Sequence, residues 1–138
     1  MANGRTFTLS MSAPPDDVDT VHALLESVWA HASTVSTTDR VSFATALIEL
    51  TGNVIRHADA GLGVTCTLTI EIFDDRLEAR LSDSGEPGGV QLASRDMPDE
   101  LAESGRGVPL IEALVDELHY ERSESSNHWR ISRKLDQA

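Results

Sequence analysis

Between Asp39 and Ala58 the chain carries apolar side chains at helical spacing along two stripes. One is Val41, Ala44, Ile48, Ile55 and Ala58; the other is Phe43, Leu47, Leu50 and Val54. Spacings of three and four residues put each set on one helix face. Two such faces bury most of the circumference, so this is a central helix that needs cover on most of its sides. Thr37 or Thr38 is placed to cap its start. The rest of the circumference is a stripe of Thr45, Glu49, Gly52, Asn53 and Arg56. A solvent-facing stripe is more usually filled with Lys, Glu and Gln. Gly52 also costs about 1 kcal/mol relative to alanine in a helix interior, which makes sense where something approaches the backbone closely. The ordinary alternative is a partly exposed face with plain polar residues.

The remaining segments supply the cover. Phe7, Leu9 and Met11 alternate with Thr6, Thr8 and Ser10, the period of a half-buried strand. Pro14-Pro15-Asp16-Asp17 opens a first helix with the stripe Val18, Val21, Leu25, Val28 and Ala32. After the central helix, Val64, Cys66, Leu68, Ile70 and Ile72 alternate with polar residues. Asp74-Asp75 turn, and Leu77, Ala79 and Leu81 alternate again, giving a hairpin with one buried face. Ser84 to Ser104 shows no sustained period and reads as a long loop, of the kind that is usually functional or disordered. A third helix is expected over about Val108 to Glu117, followed by strands over His119 to Glu124 and Trp129 to Leu135. There is no internal repeat. The order implies an α+β fold, a two-layer sandwich of three helices on one face of a mixed, mostly antiparallel five-stranded sheet.

The 138 residues fit one domain, 1–138, with one modest core. A formal net charge of -12 opposes binding to nucleic-acid phosphates or an anionic membrane surface, so neither is an expected partner. Aromatics at 4% leave little material for stacking on bases. One cysteine allows neither an internal disulfide nor a Cys-rich metal site, and no signal peptide or membrane span is visible, so a cytoplasmic protein is expected. Cys66 has the parity of the buried strand face and is expected to be inert.

Two further features carry chemistry. Asp83 continues the inward parity of Leu77, Ala79 and Leu81, so its carboxylate points into the core at the strand's end and needs donors. Gly85 lets the backbone turn beside it. An inward acceptor there could receive a ligand amino group; alternatively, Asp83 simply bonds its own turn. Gly105-Arg106-Gly107 precedes an apolar helix, where two glycines permit close approach and the helix start offers free N–H groups to an anion. On its own that segment also reads as a plain hinge.

In order and spacing, the three features resemble the motifs of the GHKL (Bergerat-fold) ATPase superfamily. Glu49-Leu50-Thr51-Gly52-Asn53-Val54-Ile55-Arg56-His57-Ala58 resembles the N box, Asp83-Ser84-Gly85 the first glycine box, and Gly105-Arg106-Gly107-Val108-Pro109-Leu110-Ile111 the second. The short chain and the wording of the N box are closest to the bacterial anti-sigma-factor serine/threonine kinases. The resemblance implies ATP and Mg²⁺ as ligands. Asn53 would hold the metal and Glu49 would be the base. Asp83 would accept the adenine amine, with Gly85 letting the base sit close. Arg56, Gly105, Arg106, Gly107 and Val108 would contribute to the nucleotide site. It also implies a sigma factor and a STAS-domain anti-sigma antagonist as partners, and a homodimer.

The chain departs from the family pattern at three places. Pro87 stands where many members have glycine, Glu103 where some carry arginine, and Asn127-His128 where relatives often have Gly-Thr. The segment before the second glycine box is acidic, with Asp96, Asp99, Glu100 and Glu103 against Arg95 and Arg106. A nucleotide-binding partner-switching module with little kinase activity is therefore the alternative. A catalytic fragment of a histidine-kinase-like system is a third reading, disfavoured because no helix with a phospho-acceptor histidine precedes the domain.

Overall fold

The alternating segments pair into one sheet that carries the helices on its apolar face. The structure is a computed structural model, and residues 5–13, 16–32, 34–58, 63–85 and 107–135 are described. In chain order the elements are β1 (Arg5–Ala13), α1 (Val18–Ala30), α2 (Thr37–Ala58), β2 (Val64–Ile72), β3 (Arg76–Asp83), α3 (Gly107–Leu114), β4 (Glu117–Ser123) and β5 (Ser126–Lys134). The strand order is β1-β2-β3-β5-β4, and each neighbouring pair is antiparallel. This is the α+β, Bergerat-type arrangement expected.

One face of the sheet is apolar and covered, the other polar, as the period-2 pattern requires. Met11, Cys66, Leu68, Ile70, Leu77, Ala79, Leu81, Trp129 and Ile131 are buried against Phe43, Leu47, Leu50 and Val54 of α2, Val21, Leu25 and Val28 of α1, and Ile111 of α3. On the opposite face, Thr8, Ser10, Thr65 and Thr67 are exposed.

Three local readings are refined. The stripe Phe43, Leu47, Leu50, Val54 is the buried one; Ala44, Ile48 and Ile55 are half-buried and Val41 is 58% exposed. The central helix is thus covered over a narrower arc than its composition suggests. Its cap is Ser36, not Thr37 or Thr38. Ser36 Oγ accepts from the Asp39 amide (3.1 Å) and donates to Asp39 Oδ2 (3.0 Å), a reciprocal cap at the helix start. Finally, α3 stops at Leu114 rather than running to Glu117. The chain is captured there by β5: the Asp116 amide donates to the Ser132 carbonyl (2.8 Å), and Asp116 Oδ2 accepts from the Lys134 amide (2.6 Å).

Two ties fix how α2 lies along the sheet. At its start, the buried Asp39 accepts from Arg133 Nε at 2.9 Å, and Arg133 is the register partner of Leu77. Toward its end, a Cβ added to Gly52 would lie 3.7 Å from Val18, the residue that opens α1 just beyond the end of β1. So α2 runs in the direction of β3. Asp39 to Asn53 advances about 21 Å along a helix. Leu77 to Asp83 advances about 20 Å along a strand. For a helix lying along β3, these advances bring the Asn53 end of α2 to the Asp83 end of the sheet.

Candidate functional site

The polar stripe of α2 is graded in burial. Thr45 is exposed, Glu49 half-buried, Asn53 only 4% exposed, and Arg56 exposed. At 100° per residue, Asn53 sits where the stripe meets the buried arc, while Glu49 and Arg56 lie further out. Arg56 folds back along the helix, and its Nη2 donates to Asn53 Oδ1 at 2.6 Å. It pairs with Asn53 rather than with Glu49, which has no hydrogen bond or ion pair among the described residues. Gly52 makes room for this. A Cβ there would come within 3.2 Å of Arg56 Nη1, so the close approach that the glycine permits is that of a guanidinium of the same helix.

Asp83 ends β3 with its side chain turned inward, as its parity requires, and is 3% exposed. Its charge is met by donors from three directions. Oδ1 accepts from the Gly85 amide (2.8 Å) and Asn127 Nδ2 (2.8 Å), and Oδ2 accepts from Trp129 Nε1 (3.1 Å). The bond to Gly85 is the ordinary turn bond; the other two come from β5 and are not local. A carboxylate offers about four acceptor directions. Three are taken among the described residues, and one on Oδ2 is left for a further donor. Asn127 is itself fixed, its Oδ1 accepting from Tyr120 Oη (2.6 Å) and Arg122 Nη1 (3.1 Å). Arg122 also donates to the Gly85 carbonyl at 2.9 Å, tying the β4–β5 hairpin to the turn after Asp83.

Asn127 and Trp129 are the site residues that sequence reading did not assign. Their signal was parity: both share the inward face of Ile131, and β5 pairs with β3 so that Asn127 opposes Asp83 and Trp129 opposes Leu81. That pairing is not local and could not be read from spacing. Cys66 lies on the other side of Asp83 as its β2 partner. Burial pushes the Cys66 thiol up to about 11, with the Asp83 charge adding to the effect. The thiol stays protonated and unreactive at neutral pH.

Of the residues singled out from sequence, Glu49, Asn53 and Arg56 share one stripe of α2, and Asp83 and Gly85 meet at the end of β3. Gly107 begins α3. Gly105, Arg106 and the acidic segment before them lie outside the described residues, as does the side chain of Val108.

The donor set suits a nucleotide-borne magnesium ion better than a free-standing metal site. No group of three or more His, Cys, Asp or Glu that could hold a metal occurs among the described residues. Asn53 Oδ1, by contrast, is a buried acceptor already engaged by a cationic group. Mg²⁺ typically keeps several waters and takes phosphate oxygens with only one or two protein ligands, a role one amide oxygen can fill. No described helix is long and apolar enough to cross a membrane.

The chain is similar in sequence and fold to known proteins. The family model of the histidine kinase-like ATPase domain matches residues 11–133. The serine-protein kinase RsbW of Bacillus licheniformis is 30% identical over 84 residues, covering 54% of this chain and 52% of that kinase, so the match spans about half of its length. The serine-protein kinase RsbW of Staphylococcus epidermidis is 29% identical over 121 residues, 80% of this chain and 75% of its own. The crystal structure of the RsbU and RsbW domains of a Mycobacterium tuberculosis protein superposes with a TM-score of 0.70 at 17% identity. It covers 97% of this chain and 33% of that one, a likeness of fold. The chain belongs to the histidine kinase-like ATPase domain family, within the GHKL superfamily.

Proposed function

We propose that this protein binds ATP between α2 and the Asp83 end of the sheet, and acts as an anti-sigma-factor serine/threonine kinase. The reading rests on one observation above all: a buried carboxylate, Asp83, held by three donors among the described residues and keeping one acceptor direction open. A buried acceptor with one unfilled direction selects a ligand that brings a donor, and the 6-amino group of adenine is such a donor. Gly85 lets the base lie against the turn. Asn53 would hold the Mg²⁺ that comes with the phosphates, and the metal when bound supplies charge neutralisation.

Glu49 is one helical turn before Asn53 and has no competing partner among the described residues, so its carboxylate is available to a hydroxyl. In the proposed transfer, a serine or threonine Oγ forms a bond to the γ-phosphorus as the bridging bond to the β-phosphate oxygen breaks. The hydroxyl proton passes to Glu49, and ADP leaves. Arg56 is on the same face and adds positive charge near the phosphates. Gly105, Arg106, Gly107 and Val108 are proposed to complete the phosphate contacts from the start of α3. A STAS-domain antagonist is the proposed phosphate acceptor and a sigma factor the competing partner. The antagonist and the sigma factor compete for the kinase by linkage, and phosphorylation releases the antagonist. A cytoplasmic homodimer of single-domain chains completes the proposal.

The test is phosphoserine or phosphothreonine detection by mass spectrometry, after incubation with ATP, Mg²⁺ and STAS-domain proteins from the same genome. Glu49→Gln should retain nucleotide affinity within about twofold and lose transfer by about a hundredfold or more, the range of a general base. Antagonists that bind without gaining phosphate would instead make the protein a nucleotide-binding partner-switching module.

A further inference from the structure

The atom proposed to receive the metal is already taken. Arg56 Nη2 donates to Asn53 Oδ1 at 2.6 Å, and the amide is 4% exposed while the arginine reaching it is exposed. A charge-assisted bond of that length is among the stronger ones a protein makes. Gly52 belongs to the same device: a methyl group at this position would sit 3.2 Å from Nη1, tighter than ordinary contact. The helix thus presents a buried amide oxygen, a cation lying on it, and a glycine that lets the cation lie there.

We propose that Arg56 is a resident counter-cation for Asn53, holding Oδ1 in the nucleotide-free protein and releasing it when a magnesium nucleotide enters. This rests on the ATP-binding reading above. An amide oxygen has two lone pairs, but a guanidinium on Oδ1 and a Mg²⁺ ion at its usual ligand distance would set two positive charges against each other beside one buried atom, so the two cations compete. Because the guanidinium is at the end of an exposed, flexible side chain, it leaves without disturbing α2. In the absence of metal it keeps Asn53 satisfied and its side chain in one orientation. The consequence is measurable. Part of the affinity that Mg²⁺ brings is used to displace Arg56, so nucleotide binding depends less on Mg²⁺ than the same site would without the arginine.

The experiment is calorimetry with a non-hydrolysable ATP analogue, in excess Mg²⁺ and in EDTA, and the readout is the dissociation constant in EDTA divided by that in Mg²⁺. Arg56→Met should raise that ratio about tenfold, the lower end of what one hydrogen bond from a charged donor contributes. Gly52→Ala should raise it in the same direction by less, because its Cβ crowds Nη1 and loosens the bond with the arginine still present. Asn53→Ala should bring the ratio close to one and make Arg56→Met silent. If Arg56→Met weakens binding equally in both buffers and leaves the ratio unchanged, Arg56 is a phosphate ligand only and the proposal is overturned. If the wild-type protein binds the analogue in neither buffer, the ATP reading itself fails and takes the proposal with it. A ligand-free measurement separates the two failures. The Arg56 guanidinium nitrogens should show hindered rotation by NMR in the wild type and free rotation in Asn53→Ala. Free rotation in the wild type would refute the resident-cation contact whatever the nucleotide data show.

Discussion

Asp83→Asn is the substitution whose effect follows most fully from the geometry. The carboxylate accepts from the Gly85 amide, Asn127 Nδ2 and Trp129 Nε1. In asparagine, the remaining oxygen can stay with Gly85 and Asn127 on the Oδ1 side. The new amide NH₂ then replaces Oδ2 and faces two donors, the Trp129 indole N–H and the adenine amine. Hydrogen bonds to charged groups contribute about 1.5–3 kcal/mol. Losing the adenine bond should therefore weaken ATP about 10- to 150-fold, since each 1.4 kcal/mol is a factor of ten. The indole N–H, left buried without an acceptor, should cost the fold about 1–3 kcal/mol as well. Calorimetry measures the first effect, and urea unfolding the second. Comparing ATP with inosine triphosphate, whose base carries a carbonyl where adenine has its amine, separates recognition from general damage. The wild type should prefer ATP, and Asp83→Asn should shift the preference toward inosine triphosphate, because its amide can donate to that carbonyl. An unchanged ATP-to-inosine ratio, in a variant that still binds both, would refute the adenine assignment.

Three other outcomes bear on the scaffold. Arg133→Met removes one side of the buried Asp39–Arg133 pair that anchors the start of α2, and should cost about 3 kcal/mol in urea unfolding. Ser36→Ala removes the cap of α2 and should cost about 1 kcal/mol by the same measurement. The Cys66 thiol is raised from 9.0 to about 11 by burial and by the Asp83 charge, so between those values the folded protein holds a proton that the unfolded chain has lost. Its contribution is intact below pH 9 and is lost as pH rises toward 11. A Cys66→Ala variant should show a shallower decline in stability over that window, and an identical decline would remove Cys66 as its source.

The sequence disclosed the parts of this protein whose signals are periodic or local. Two alternating runs placed β2 and β3, and parity alone turned Asp83 inward. The spacing of Glu49, Asn53 and Arg56 put them on one stripe, and the structure adds that Asn53 lies at its buried edge with Arg56 upon it. The hidden parts were those decided by non-local pairing. Two of the three donors that hold Asp83 come from β5, 44 and 46 positions away, and nothing near Asp83 foretells them. The second apolar stripe of α2 looked as buried as the first, yet Val41 is largely exposed, because composition does not say how much cover the neighbouring elements supply. The end of α3 was set by bonds from Asp116 to β5 rather than by any stop signal of its own.

Trp129 offers the most direct measurement of the central claim, because its indole N–H rests on Asp83 Oδ2 while the chain's other tryptophan, Trp29, packs against Phe43 in the helical layer. Titrating ADP and Mg²⁺ into labelled protein should move the Trp129 indole signal in the NMR spectrum, with the Gly85 amide, and leave the Trp29 indole in place. A saturating titration that leaves Trp129 and Gly85 unmoved would place the nucleotide elsewhere and contradict the account.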